Sequence, residues 1–112
     1  MFDFHKIRKI LEKCWCKETS YFGKEGSRGQ CYVTALVIQD LFGGDILTGV
    51  VNNEKHYWNC LPDGTELDFT SDQYGGDGLH PIIEGKKAKR LNRKNKRYLL
   101  LKKKFELALN EN

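Results

Sequence analysis

Three short clusters in this chain hold the side chains of an activated thiol: Gly29-Gln30-Cys31, His56-Tyr57-Trp58 and Asp68-Phe69-Thr70. A thiol is mostly protonated at neutral pH, so nucleophilic catalysis needs a base that takes its proton and a third group that orients the base. Cysteine, histidine and aspartate are residue types that do this together. They lie here in separate segments, so any such chemistry depends on the elements that carry them.

The hydrophobic pattern predicts those elements. An amphipathic helix is expected over about Phe4 to Cys16, with Ile7, Ile10, Leu11 and Cys14 on its apolar stripe, followed by a Gly-, Ser- and charge-rich loop from Thr19 to Gly29. A second helix is expected from near Cys31 to Phe42, stopped by Gly43-Gly44. Ile46 to Val51, Lys55 to Leu61 and Glu66 to Thr70 read as strands, joined by turns at Asn52-Asn53 and Pro62-Asp63-Gly64. A C-terminal helix beginning near Asn92 completes a single domain over residues 1–112. The expected class is α+β, with N-terminal helices packed on a small antiparallel sheet and a closing helix.

Placement gives Cys31 its interest. At the first turn of a helix a cysteine meets the positive end of the macrodipole and unpaired backbone N–H groups, which favour thiolate and can bind a developing oxyanion. Gly29 lets the backbone turn sharply into that helix. The competing reading is a small core residue in an apolar run. On an alternating strand, His56, Trp58 and Cys60 share one face, while Tyr57, Asn59 and Leu61 share the other. A three-residue loop at Pro62-Asp63-Gly64, with Gly64 left-handed, sets His56 opposite Thr70 and Asp68 diagonally across on the face of His56. A two-residue loop turns Asp68 away. Asn59 is the rival orienting residue, directed by alternation to the opposite face.

Composition narrows the classes. Hydrophobic residues make up 39% of the 112 residues, aromatic residues 12% and charged residues 30%, which fits a folded globule rather than a disordered chain. No apolar run is long enough to span a membrane, and Met1-Phe2-Asp3-Phe4 opens directly into a charged segment without the apolar core of an export signal. A cytoplasmic location is therefore expected, with Cys14, Cys16, Cys31 and Cys60 as free thiols. Zinc is not expected, because Cys14 and Cys16 have no second ligand pair, and no other cofactor is expected.

The formal charge of +4 is unevenly spread. Residues 1–85 hold 8 Lys and Arg against 13 Asp and Glu, residues 86–104 hold 11 basic and no acidic residues, and residues 105–112 hold two acids. Tyr98, Leu101, Phe105 and Leu109 recur at helical spacing, which assigns Arg97, Lys102, Lys103 and Lys104 largely to a solvated outer face. Without an aromatic stacking motif, the run is read as that face rather than as a nucleic-acid site.

Taken together, Gly29-Gln30-Cys31 at a helix start, His56-Tyr57-Trp58-Asn59 on a strand and Leu67-Asp68-Phe69-Thr70 on the next resemble the transglutaminase-like branch of the papain-like cysteine enzymes. More closely, residues 29–40, Gly43-Gly44, His56 to Asn59 and Arg97-Tyr98-Leu99-Leu100 resemble the small bacterial YunG-like proteins, over most of Ser27 to Lys104. The resemblance implies Cys31 as nucleophile, His56 as general base and acid, Asp68 as orienting carboxylate, and the backbone N–H of Cys31 as one oxyanion donor. Papain-type enzymes place a donor glutamine several residues before the nucleophile, whereas Gln30 is adjacent and Glu25 stands farther upstream. The second donor is thus open between Gln30 and Trp58, with Asn59 as a further support residue.

Three function classes follow. The first is a thiol hydrolase or acyltransferase acting on an amide, peptide or other acyl group; a protein-degrading role does not fit a chain without papain's second subdomain. The second keeps the same constellation for binding or structure. The third is a module for nucleic acid or another acidic partner, built on residues 86–104. Glu18 to Arg28 and Asp72 to Pro81 are the expected pocket loops, with His80 on the surface.

Overall fold

Asp3 opens the first helix by accepting hydrogen bonds from the backbone N–H groups of His5 and Lys6 at 3.0 and 3.3 Å. A computed structural model describes residues 3–111; Met1 and Phe2, part of the segment read above for an export signal, lie outside them. Helix α1 runs Phe4–Cys14 and buries Ile7, Ile10, Leu11 and Cys14, the stripe read from the sequence. It ends before the expected Cys16 because Trp15 turns extended, and its indole N–H donates to Thr34 Oγ1 at 2.9 Å. That bond ties the end of α1 to α2, Cys31–Phe42.

Helix α2 is apolar nearly all round, with Val33, Thr34, Ala35, Leu36, Val37 and Ile38 buried in succession. Such a helix belongs inside the protein, between α3 on one side and the sheet on the other. Its stop is strict. Gly44 has φ +81, and a Cβ there would meet the Cys60 carbonyl oxygen at 2.2 Å, so the close passage of the chain past β2 requires glycine.

The sheet is antiparallel in the order β3-β2-β1-β4, formed by β1 (Asp45–Val51), β2 (Glu54–Cys60), β3 (Glu66–Leu67) and β4 (Lys86–Lys87). Asn52 and Asn53, both at positive φ, make the two-residue turn between β1 and β2. Leu61 and Thr65 close the next turn through a 2.8 Å backbone bond around Pro62-Asp63-Gly64, with Gly64 at φ +89. This is the three-residue loop, and Asn59 faces Leu67 across it. The expected third strand to Thr70 is cut short at Leu67. Asp68 N–H bonds the Leu79 carbonyl at 2.8 Å instead of β2, and a 3-10 turn follows over Ser71–Tyr74.

Helix α3 covers Lys96–Asn110 and packs on α1 and α2 through Tyr98, Leu101 and Phe105. It begins at Lys96 rather than near Asn92, because Asn95 is the residue whose side chain caps it, accepting from Tyr98 N–H at 3.0 Å. The start of the basic run is not helical at all. Lys86 and Lys87 form the edge strand against Thr48 and Leu47, a short and charged edge that resists pairing with another chain. The architecture is α+β, with the core filled mainly by Leu11, Leu36, Ile38, Ile46, Tyr98 and Leu101. No helix among the described residues is long and apolar enough to cross a membrane.

Candidate functional site

Cys31 is the first residue of α2 and is half-buried. The preceding Gln30 makes no side-chain cap, so the first-turn N–H groups of the helix receive no oxygen from that side chain. The thiol stands against β2, 3.9 Å from the Lys55 carbonyl oxygen, beside His56 in sequence. The approach into the helix is tight. Gly29 has φ +77, and a Cβ there would stand 2.4 Å from Ser20 Oγ and 2.9 Å from Phe22 N.

His56 is fully buried, its ring stacked on Trp58 at 5.6 Å and held edge-on by Tyr74 at 5.0 Å. Its Nε2 meets Asp68 Oδ2 at 2.6 Å, while its Nδ1 is buried without a hydrogen-bond partner among the described residues. Asp68 is itself 1% exposed, and its other oxygen accepts from Thr70 N–H at 3.2 Å. Burial pulls the imidazole pKa down, but the bond to Asp68 and the nearby Cys31 outweigh it and push it up to about 9. The thiol is thus close enough to His56 to favour the charged imidazole. The structure brings Cys31, His56 and Asp68 together in this way.

Of the three support residues, Asn59 lies on the face away from His56, as alternation predicts, and the polar groups of all three are engaged within the fold. The single indole N–H of Trp58 donates to Glu66 Oε1 at 2.9 Å, so it has no proton left for an oxyanion. Asn59 donates to the Ala35 carbonyl at 2.9 Å and ties β2 to the middle of α2, on the face away from His56. Gln30 is fully buried, and its amide donates to the Cys16 carbonyl at 3.0 Å, fixing the chain between α1 and α2. All three hold the framework.

Cys31 opens into a cavity of about 530 Å³ whose walls include Tyr21, Phe22, Tyr32, Tyr57, Gln73 and Tyr74. The expected pocket loops, Glu18 to Arg28 and Asp72 to Pro81, contribute Tyr21 and Phe22 and Gln73 and Tyr74 respectively. At its edge Arg28 forks onto Glu54 at 2.5 and 2.6 Å, and Tyr74 donates to the same carboxylate at 2.9 Å. The guanidinium, followed by the tyrosine, holds the Glu54 carboxyl down to about 2. His80 is exposed, bonded to Asp77 at 2.5 Å, and takes no part in these walls.

Two wall residues escaped the sequence reading. Gln73 Oε1 accepts from Gly29 N–H at 3.1 Å, which sets the amide's orientation and leaves Nε2 buried without a partner. Arg97, assigned above to the solvated face, instead lines the cavity from the first turn of α3. The four-residue spacing of its apolar neighbours gave the helix face correctly but not the loop lying over its first turn. Gln73 fell within the expected pocket loop Asp72 to Pro81 but was not singled out there. Among the described residues no three His, Cys, Asp or Glu side chains gather as a metal site.

The geometry can be set beside known proteins. The curated Bacillus subtilis (strain 168) protein "Uncharacterized protein YunG" is 43% identical over 70 residues, covering 61% of this chain and 60% of that protein. No solved structure matches. The family described as "YunG protein" matches residues 3–110, a span that holds α1 through α3 and every residue of the site described above, and the chain belongs to that family.

Proposed function

We propose that this protein is a thiol hydrolase or acyltransferase, of the transglutaminase-like and papain-like type, in which Cys31 attacks an amide, peptide or other acyl carbonyl. One observation carries the reading: a buried His56 whose Nε2 is fixed by Asp68, whose Nδ1 has no hydrogen-bond partner among the described residues, and whose ring feels the Cys31 thiol at a helix N-terminus. A buried ring nitrogen without a partner is costly, and a catalytic role is one of the explanations such a group calls for. Asp68 selects the arrangement in which Nε2–H points at the carboxylate and Nδ1 serves the sulfur.

In this mechanism Nδ1 takes the Cys31 proton and the thiolate sulfur bonds to the carbonyl carbon. The oxyanion is received by the backbone N–H of Cys31 and by Gln73 Nε2, the buried donor on the cavity wall. Collapse breaks the bond to the leaving nitrogen, which takes the proton from Nδ1. Water or an amine then gives a proton to Nδ1, attacks the thioester and releases the acyl product with the thiol restored.

Timed labelling with iodoacetamide, read site by site by mass spectrometry, tests this reading. Cys31 is expected to react near neutrality at least tenfold faster than Cys14, whose burial pushes its thiol up, and to lose that advantage in His56→Ala. Cys31 labelling no faster than Cys60, or indifferent to His56, overturns the enzyme reading in favour of a binding or structural role.

A further inference from the structure

The cavity beside Cys31 is not electrostatically neutral, and its charges are unequally matched. Its charged wall residues are Glu54, Lys55 and Arg97. Glu54 is already neutralised from outside the wall by the bidentate fork of Arg28. Lys55 is exposed at the rim. Arg97 remains, half-buried, with its guanidinium 5.2 Å from the Tyr21 ring and its Nε buried without a hydrogen-bond acceptor.

That condition sets Arg97 apart from the paired Arg8, Arg28 and Arg93, and its burial sets it apart from the exposed Arg90. Arg8 bonds Asp72 and Glu12, Arg28 bonds Glu54, and Arg93 bonds Asp40. Arg97 has no carboxylate partner among the described residues. A guanidinium presents N–H donors in a planar fork that matches a carboxylate, and removing the Nε donor from water without an acceptor is unfavourable. Stacking on Tyr21 holds the plane of the group but supplies no acceptor for Nε. The missing component is an anion.

We infer that the site takes an acyl substrate that carries a free carboxylate, anchored by Arg97 while its carbonyl carbon lies at Cys31. The inference rests on the thiol acyl-transfer reading of that cysteine and adds the substrate class. The aromatic side chains of Tyr21, Phe22, Tyr32, Tyr57 and Tyr74 cover the body of the ligand between the two ends. A volume of about 530 Å³ suits a small amide or the carboxyl-terminal end of a short peptide rather than a folded protein. Arg97 is thereby a specificity residue. It fixes the distance from the substrate's carboxylate to the bond that is broken.

Matched pairs of thiol reagents test the anchor without knowledge of the natural substrate. Iodoacetate is paired with iodoacetamide, and maleimides bearing a carboxylate on linkers of one to three carbons are paired with their neutral alkyl counterparts. The readout is the ratio of anionic to neutral rate at Cys31, which cancels any general change in thiol reactivity. For at least one linker length the ratio is expected to exceed that of the same cysteine in the denatured chain. There it falls about tenfold in Arg97→Gln, is partly kept in Arg97→Lys, and drops with added salt. A ratio changed less than twofold by Arg97→Gln at every length, or one that responds to Lys55→Gln alone, overturns the inference. Loss of His56-dependent labelling with the ratio intact instead removes the catalytic reading and leaves an anion-binding site.

Discussion

His56 Nε2 lies 2.6 Å from Asp68 Oδ2 across the β2–β3 turn, and both side chains are shut away from water. The pairing divides the imidazole between two tasks. One nitrogen is committed to the carboxylate, and the other is buried with no hydrogen-bond partner among the described residues, on a ring that the Cys31 thiol influences. A buried His and Asp pair that served stability alone would gain from satisfying both nitrogens.

The same pairing makes stability depend on pH in a defined direction. The folded-state pKa of His56 is raised, from the usual 6.5 to about 9, against the opposing effect of burial. A raised histidine binds its proton more tightly in the folded chain, so its contribution is fully present below about pH 6.5 and is lost as pH rises through about 9. At about 1.4 kcal/mol per unit, its size is on the order of 3 kcal/mol. The raised thiol of Cys14 and the raised phenols of Tyr57 and Tyr98 act in the same direction at higher pH. The quantity to measure is therefore the difference between the native protein and His56→Gln in urea unfolding under reducing conditions. That difference is expected to shrink steadily from pH 6.5 to pH 10. A constant difference across the range contradicts the raised pKa.

What the sequence disclosed about this site was local. The limits of α2 were legible because a largely apolar run meets two glycines, and the position of Asp68 was legible only as far as the turn at Pro62-Asp63-Gly64, which the sequence left open between two and three residues and the structure makes three. The features that were not legible depend on distant parts of the chain. The third strand ends at Leu67 because Leu79 supplies the next acceptor, twelve residues away in sequence. The edge strand at Lys86-Lys87 has no alternation to announce it and exists only because β1 offers a free edge. Arg97 lies on a helix face that periodicity assigned to solvent, and the Tyr21 loop makes that face a wall. Trp58 and Asn59 were singled out for their polar atoms, whose actual partners, Glu66 and Ala35, come from other elements.

Asn59 gives a second measurable consequence. Its side chain donates to the Ala35 carbonyl at 2.9 Å in a position 2% exposed, linking β2 to α2. Removing that donor and its volume in Asn59→Ala is expected to cost about 2 kcal/mol of folding stability. Because this bond faces away from His56, Cys31 labelling well below the melting temperature is expected to keep its rate and its dependence on His56. A variant with native stability and slow labelling would return Asn59 to the site as an orienting residue.

Gln73 separates the binding of an oxyanion from the activation of the thiol. Its Oε1 is engaged by Gly29 N–H, and its Nε2 is the buried donor without a partner on the cavity wall. Alkylation by iodoacetamide passes through no tetrahedral oxyanion, whereas acylation by an activated ester such as p-nitrophenyl acetate does. Loss of one oxyanion donor typically slows acyl transfer by about 100-fold or more. In Gln73→Ala the ratio of ester acylation to alkylation at Cys31 is therefore expected to fall by about that factor, beyond whatever loosening of Gly29 does to both rates. Gln73→Glu keeps the acceptor for Gly29 and removes the donor, so it is expected to depress the ratio as well. If both substitutions slow the two reactions equally, Gln73 positions the Cys31 helix through Gly29, and the oxyanion must be received by backbone N–H groups of α2 alone.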